Sequence, residues 1–596
     1  MPYPLADQFL SLNRSAGDEL LGVKHNRELY LGIMERIVRI AVEWLDGDGA
    51  LVDPVCKDEW GLGTSRFVSS AAILIRFGRC RDLLNKTCRS MTLCTEWLRK
   101  PSVKPLSPDF WMRELMTAYY CLKPLVDDTL ISLWRRNLSD VNPEQNYFMV
   151  KPDHKDLDSL GNWAIYSSGG EIMREQLGIG GNDSFLWGTR FFDLYAGAQL
   201  NRFTEFGMYC DPHTPGIAEN PHAPMTYDIT TRLQLANALH WGYKGRFHDT
   251  LDALLLKGDL TMLLFMSPDG YVPYGGRSGE FHYREAIVSA LCELEANRFK
   301  QSNTVLAGRF RRQARLSAEA VLPWVNDTPL RHIKNRFPPE SRHGCDEYGY
   351  YSTYAVLASS IFGLAAQYAD DSIPEAPAIS EIGGYAIELP PPFHKIIASC
   401  CGNYVEIDTC ADINHDATGL GRILLKGIPY ALLPAMPFAG KRDFITAPCI
   451  SVTTAPAAIG PKGLADTENI SHELCVTKET RQKVAWRLKW TLGHMQYVQL
   501  YELTSDGLHV HTTLVNGSGP LRFEIPVLHF NGVEYARWQV NGNVAVGRMA
   551  RGGAIVTASE RLQLHDAPNY ANRNGIYRLL TAEATSGQID VAFRNA

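Results

Sequence analysis

Several motifs that announce a particular chemistry are missing from these 596 residues. GLGTS at 61–65 and GIGGND at 178–183 are Gly-rich, but neither follows a strand pattern and no Walker lysine closes either one, which disfavours nucleotide binding. There is no GxSxG elbow and no HExxH pair, so two familiar hydrolase signatures are absent. No CxxC pair occurs, Cys400 and Cys401 are adjacent, and the 13 cysteines are odd in number and scattered. Cys80, Cys88, Cys121 and Cys292 fall inside helical patterns, which reads as reduced, buried thiols in a cytosolic protein and argues against structural zinc. No run of about 18 uncharged apolar residues exists, so no membrane span is expected. The N-terminus, MPYPLADQFLSLNRSAGDELL, shows no basic stretch followed by an apolar one, so no secretory signal is visible and a cytoplasmic location is expected. A formal charge of −6 gives no electrostatic reason to expect nucleic acid or an anionic membrane as partner. No motif calls for a cofactor or a metal.

What is present is a change of hydrophobic period partway along the chain. From Arg27 to Leu45, the residues Leu29, Ile33, Ile37, Ile40 and Trp44 recur at three- and four-residue steps, the stripe of an amphipathic helix. Similar patterns predict helices near 65–77, 82–97, 127–138, 163–177, 184–206, 227–242, 247–265, 284–299, 303–325 and 351–368. One more opens at Ser107 as N-cap, with Pro108 and Asp109 in its first turn. No 34- or 40-residue sequence period is visible, which counts against helical repeat arrays. About a dozen helices joined by short polar connectors fit an (α/α)6-type toroid, whose long Gly/Pro-rich loops (210–224, 267–279, 336–347) would gather at one mouth. After Ala369, DDSIPEAP reads as a linker, and period-two runs take over. Val484, Trp486, Leu488 and Trp490 alternate with polar residues, and Asp506-Gly507 reads as the turn of a hairpin. The expected division is a helical toroid domain at 1–370 carrying the site, a linker at 371–380, and an antiparallel β-sandwich domain at 381–596.

The densest chemistry lies in SPDGYVPYGGRSGEFHYRE, residues 267–285. Tyr271, Tyr274, Arg277, Glu280, His282, Tyr283 and Arg284 crowd a glycine-rich segment between two apolar helical stretches. A loop that caps the end of a bundle with tyrosines is the structural alternative. Upstream, MYCDPHTPGIAENPHAPMTYD carries Asp211, His213, His222, Tyr227 and Asp228. The two histidines are nine residues apart, which is no metal spacing. Asn162-Trp163 opens a helix, where Asn162 serves either as N-cap or as a hydrogen-bond donor to a substrate carboxylate. RHGCDEYGYYSTYA adds Asp346 and several tyrosines, of which those at 350, 351 and 354 lie at helix spacing and read largely as core.

A Tyr–Arg–His set suits β-elimination, in which a base takes the proton α to a carboxylate, a cation holds the enolate, and an acid protonates the leaving oxygen. Paired carboxylates suit glycoside hydrolysis instead. The helical-then-β organisation, with the stretches around Asn162, His213 or His222, Tyr227, Tyr274 and Arg277, resembles the toroid-plus-sheet polysaccharide lyases of the heparinase II/III-like and alginate-lyase-like groups. NW upstream of GGRS also resembles toroidal β-glucuronidases and two-domain bacterial and fungal relatives.

The resemblance implies a small uronate-containing carbohydrate as partner. Tyr274, Tyr227, His213 and Arg277 would then be catalytic, and Asn162, Trp163, His222, His282, Arg284 and Tyr271 substrate-binding. In the hydrolytic alternative the acid and base come from Asp211, Asp228, Glu280 or Asp346. A glycan-binding protein without catalysis is the third reading.

Overall fold

The computed structural model describes residues 3–15, 17, 19–59, 61–100, 107–150, 160–180, 184–211, 225–391, 393–410, 415, 418–436, 470–492, 495–516, 521–566 and 570–596. The helices are α1 (Ala6–Ser15), α2 (Asn26–Ala41), α3 (Gly63–Arg76), α4 (Leu84–Arg99), α5 (Trp111–Leu122), α6 (Asp128–Ser139), α7 (Pro143–Asn146) and α8 (Asn162–Gln176). They continue with α9 (Gly188–Tyr195), α10 (Met225–His240), α11 (His248–Phe265), α12 (Tyr283–Phe299), α13 (Thr304–Val325), α14 (Tyr351–Tyr368) and the single turn α15 (Ile379–Ile382).

Six of these form a closed inner ring: α3 packs on α5, α5 on α8, α8 on α10, α10 on α12, α12 on α14, and α14 back on α3. α2, α4, α9, α11 and α13 lie outside it, each against an inner helix, and α6 packs on α4. The result is an (α/α) toroid. Of the ring helices, α10, α12 and α14 are buried nearly all round and so lack a strong amphipathic stripe, whereas α2 keeps one because only one side faces the ring.

Two local expectations are corrected. Ser107 does not cap a helix: its backbone is left-handed (φ 66°) and its side chain makes no cap bond, and a short 3-10 turn at Pro108–Phe110 leads into α5. The helix expected over 184–206 stops at Tyr195 and continues as a 3-10 segment, Gly197–Arg202. A Cβ on Gly197 would lie 2.1 Å from the Phe247 ring, so the chain there is shaped by contact with α11's entry.

Among the described residues, the β region contains three antiparallel sheets. The first is β1 (Gly383–Glu388), β2 (Lys395–Cys400), β3 (Asn403–Asp408) and β4 (Gly419–Leu424), in sequence order. Next come β5 (Ile470–Glu479), β6 (Lys483–Leu492), β7 (Met495–Thr504), β8 (Gly507–Asn516), β9 (Leu521–Phe530), β10 (Arg537–Asn541), β11 (Val544–Met549) and β12 (Gly552–Ala558). The last four are β13 (Leu562–Leu564), β14 (Tyr570–Ala571), β15 (Ile576–Ala584) and β16 (Gln588–Asn595). The large sheet runs β10-β11-β12-β16-β8-β7-β6-β5, and β15 pairs with β9, β13 and β14 in the third.

The β7–β8 turn is Ser505-Asp506 rather than Asp506-Gly507. Gly507 already pairs with Thr504, at φ 129°, and its Cβ would meet the Phe593 carbonyl at 2.0 Å.

The first sheet joins the two halves. Tyr385, Ile387, Ile397 and Tyr404 enter the helical core, while Ala386, Ile396, Ala398, Val405 and Ile407 enter the β core. The Tyr385 and Tyr404 hydroxyls donate to the Leu264 and Phe265 carbonyls at the end of α11, at 2.8 and 2.7 Å. The segment 371–380 is held against the helices: Asp371 pairs with Arg311 at 3.1 Å and Glu375 with Arg315 at 2.7 Å. Among the described residues, no helix is long and apolar enough to cross a membrane.

Candidate active site

Inside the ring lies a cavity of about 320 Å³ with a largely aromatic lining. α3 supplies Leu62 and Arg66 at its start, α8 supplies Asn162, Trp163 and Tyr166, and α10 supplies Tyr227 and Thr230. Arg277 and Tyr348 come from the two loops flanking α12 and α14, and Tyr283, Tyr354 and Leu357 from those helices. Ser107 and Phe110 complete the wall. A larger groove of about 710 Å³, between 46–59 and α4, is lined by Asp46, Asp48, Asp58, Glu59 and Glu96 together with Lys57 and Arg89, and has no tyrosine or histidine in its lining.

Asn162 is the first residue of α8, not its cap; Gly161 holds that position. The Asn162 backbone N–H and side-chain amide both donate to the Asp211 carboxylate, at 2.9 and 3.1 Å. The Arg277 guanidinium lies 3.7 Å from the same carboxylate and 4.5 Å from the centre of the Tyr227 ring. Burial raises Asp211 above the ordinary carboxylate value, with Arg277 and the Asn162 donors pulling the other way. Burial works against the Arg277 charge, but Tyr227, Tyr348, Asp211 and Asp346 around it raise its affinity for the proton.

The Tyr227 hydroxyl is 3.2 Å from the Ser278 hydroxyl, which is 2.8 Å from that of Tyr348. Ser278 has a left-handed backbone, φ 59°. Its N–H donates to Asp346 at 2.9 Å, and its carbonyl accepts from Thr226 at 3.3 Å. Asp346 is gripped by both Nη atoms of Arg573, at 2.9 and 2.8 Å, and this pairing lowers its pKa despite burial. Burial raises the Tyr166, Tyr283, Tyr348 and Tyr354 phenols, so they remain neutral donors at ordinary pH.

Four residues given a catalytic or binding role from sequence therefore share the cavity, Asn162, Trp163, Tyr227 and Arg277, joined by Tyr283 of the same dense stretch. Asp211 and Asp346 stand one bond behind it. His213 and His222 lie outside the described residues.

The remaining candidates are elsewhere. Tyr274 is fully buried where the loop meets the first sheet, with the Lys395 ammonium 3.4 Å from its ring centre and its N–H bonded to Glu406 at 3.1 Å. The Tyr271 ring lies against that of Tyr430, tilted by 39° at 4.5 Å between centres, and Arg284 donates to the Pro273 carbonyl. His282 lies 6.0 Å from Trp324, ring to ring; among the described residues neither of its nitrogens has a hydrogen-bond partner, and burial holds it neutral. Asp228 pairs with Arg232 at 2.8 Å and accepts from the Tyr209 N–H at 2.7 Å, a tie between α10 and the preceding loop.

Glu280 is wholly buried, bonded to Arg422 at 2.8 Å, to Asn574 at 2.8 Å and to Tyr430. Burial opposes its charge, yet Lys334, Arg422 and Arg284 hold its pKa down at about 2.

Sequence reading missed Arg66, Phe110, Tyr166, Thr230 and Ser278 as lining or site residues, and Arg573 altogether. Thr230 and Tyr166 had a detectable signal, being on the same helix faces as Tyr227 and Asn162. Arg573 had none, because it is distant in the chain. Among the described residues, no group of three or more His, Cys, Asp or Glu is placed to hold a metal ion.

No protein-family model matches the chain, and no curated protein sequence does either. Among solved structures, the chain is similar to a heparan sulfate lyase from Pedobacter heparinus, at 10% identity and a TM-score of 0.41 over 90% of this chain and 77% of that one. It is also similar to a glycosyl hydrolase family 88 protein from Bacteroides vulgatus, at 10% identity and a TM-score of 0.37 over 58% of this chain and 100% of that one. A mutant of unsaturated glucuronyl hydrolase from Streptococcus agalactiae is similar at 10% identity and a TM-score of 0.38, over 61% of this chain and 96% of that one.

Proposed function

We propose that the protein is a carbohydrate-active enzyme that cleaves a uronate-containing oligosaccharide or glycoside by β-elimination. The observation that supports this reading is the sorting of charge at the cavity. A guanidinium, an amide and a phenol face it, while the nearby carboxylates are turned away and already paired, Asp211 with Asn162 and Arg277, and Asp346 with Arg573. An anionic sugar is favoured next to Arg277, and no described carboxylate lines the cavity to act as acid or base in hydrolysis.

In this reading Arg277 and the Asn162 amide hold the uronate carboxylate and take up charge as the enolate forms. Tyr227 accepts the α-proton. The electron pair of that C–H bond becomes the new C=C bond, the C–O bond to the leaving sugar breaks, and a phenol hydrogen returns to the departing oxygen. Trp163 and Phe110, 4.9 Å apart, offer rings for a sugar face.

The test is incubation with a panel of glucuronate, mannuronate and guluronate oligosaccharides, read by near-ultraviolet absorbance and by mass. Elimination gives an unsaturated, absorbing product with no added water. A product heavier by one water and without absorbance would establish hydrolysis and sink this reading.

A further inference from the structure

The cavity explains what Arg277 and Tyr227 face; it does not explain why a loop from the far end of the chain reaches into the toroid. Between β14 and β15, Asn572–Gly575 enters the helical half and makes three separate attachments there. The Asn572 carbonyl lies 2.9 Å from His343 Nε2, Arg573 grips Asp346 and also donates to the Gly344 carbonyl at 2.9 Å, and Asn574 donates to Glu280. The fit is close: a Cβ on Gly344 would lie 2.6 Å from the Arg573 carbonyl oxygen.

Two of these attachments reach the loop that carries Arg277, Asn574 directly through Glu280 and Arg573 by way of Asp346. Asp346 binds the Ser278 N–H, and Glu280 sits two residues further on. Ser278 and Glu280 are both non-glycine residues in left-handed conformation, at φ 59° and 68°. Such a backbone is strained for a residue with a Cβ and persists only where its surroundings fix it. Here the fixing group on each comes from β-region residues, Arg573 acting through Asp346, and Arg422 with Asn574 acting on Glu280. The result of holding Ser278 in that conformation is that its hydroxyl sits between the phenols of Tyr227 and Tyr348.

We propose that Arg573 is a positioning residue for the reacting phenol: through Asp346 and the Ser278 backbone it holds the Ser278 hydroxyl as the hydrogen-bond bridge between Tyr227 and Tyr348, so the β region completes the active site. The inference rests on the elimination reading, in which Tyr227 handles the proton. The bridge gives that proton a route. As Tyr227 takes it from the sugar, the Tyr227 hydroxyl hydrogen passes to Ser278 and the Ser278 hydrogen to Tyr348, which also lines the cavity and gives its own hydrogen to the departing sugar oxygen, so each oxygen of the chain gives one and receives one.

The test compares Ser278→Ala, Arg573→Lys and the double variant on whichever uronate oligosaccharide of the panel is turned over fastest. Ser278→Ala keeps the N–H that Asp346 binds and removes only the bridge. It is expected to lower kcat about 10- to 100-fold, with KM within about twofold. Arg573→Lys keeps the charge but loses the two-pronged grip, and is expected to lower kcat by a smaller factor with KM again unchanged.

The deciding readout is the double variant. If Arg573 acts through the Ser278 hydroxyl, Ser278→Ala/Arg573→Lys is no slower than Ser278→Ala alone, whereas independent structural damage multiplies. Multiplicative losses, wild-type kcat in Ser278→Ala, or losses confined to KM overturn the proposal. Tyr227→Phe separates the two levels. If it is inactive while Ser278→Ala is normal, only the bridge fails. If Tyr227→Phe is fully active, or no panel member gives an elimination product, the elimination reading fails and the bridge falls with it.

Discussion

Two tyrosines on neighbouring elements show how one atom's surroundings decide its use. The Tyr227 hydroxyl opens on the cavity and joins a hydroxyl chain, beneath a guanidinium. The Tyr274 ring is pressed between Lys395 and the first sheet so closely that a Cβ on Gly421 would lie 2.2 Å from its oxygen. Tyr227→Phe is therefore expected to lower turnover about 100- to 10,000-fold, the usual worth of general acid–base help, with the melting temperature little changed. Tyr274→Phe should leave kcat within about threefold, and initial rates on the same substrate decide between them. The same contrast separates the carboxylates. Glu280→Gln leaves Arg422 and Arg284 short of a counter-charge in the interior, so a loss of about 3–5 kcal/mol is expected in denaturant unfolding. An inactive Glu280→Gln variant of wild-type stability would instead indicate a chemical role for that side chain.

Among whole elements, the ring helices carry the site and their spacing sets its shape. α8 brings Asn162, Trp163 and Tyr166 to the cavity and touches α5 at Gly170, where a Cβ would lie 2.7 Å from the Arg113 backbone nitrogen. Backbone cannot step aside as a side chain can. Gly170→Ala is expected to cost about 1–3 kcal/mol through overpacking and to raise KM, since α8 must move with its substrate-facing residues; thermal unfolding and saturation kinetics check the two effects.

The same elements show what the sequence could disclose. Helix positions followed from their flanking polar connectors even where both sides are buried, as in α12 and α14, because length and the absence of turn residues identify a helix when amphipathicity does not. The first sheet was hidden for the opposite reason. GGYAIE, KIIASC, NYVEID and GLGRIL are buried almost throughout, one face in each core, so no polar alternation marks them. Within 267–285, residue density located the loop but not its two sides. Arg277, Ser278 and Tyr283 serve the cavity, while Tyr271, Tyr274, Glu280 and Arg284 serve the junction with the sheets. Which side a loop residue takes depends on partners such as Arg422 and Arg573, more than 100 residues downstream in the chain, and local pattern carries no trace of them.

At the scale of the whole molecule, charge is buried both among the helices, as in Arg232 with Asp228 and Asp259, and at the junction between toroid and sheets, and the junction should set the acid limit of stability. His282 and His332 lie in the loops on this side of the ring, and burial lowers both, His332 to about 4. A histidine held neutral in the folded protein takes up its proton on unfolding, so between about pH 4 and 6.5 the unfolded chain binds more protons and stability rises with pH. The stabilisation is complete above the unfolded value near 6.5 and is lost as pH falls toward 4, a shift worth about 3 kcal/mol for His332. Glu280 adds to this in a lower window. Its folded pKa of about 2 lies below the unfolded value of 4.5, so its contribution is present above 4.5 and disappears as pH drops through 2. The histidines' contribution to the melting temperature is therefore expected to fall from pH 7 to 5, opposed over the same interval by Asp259 and Glu295 in the helical half, whose carboxyls burial raises so that they stay protonated to higher pH in the folded protein than in the unfolded chain. The double variant His282→Phe/His332→Gln removes the two proton acceptors, so its melting temperature relative to that of the parent protein should rise as pH falls from 7 to 5, whatever its absolute value. An unchanged slope in the variant would mean that the acid limit is set by other groups, and that the junction is not where the fold first gives way.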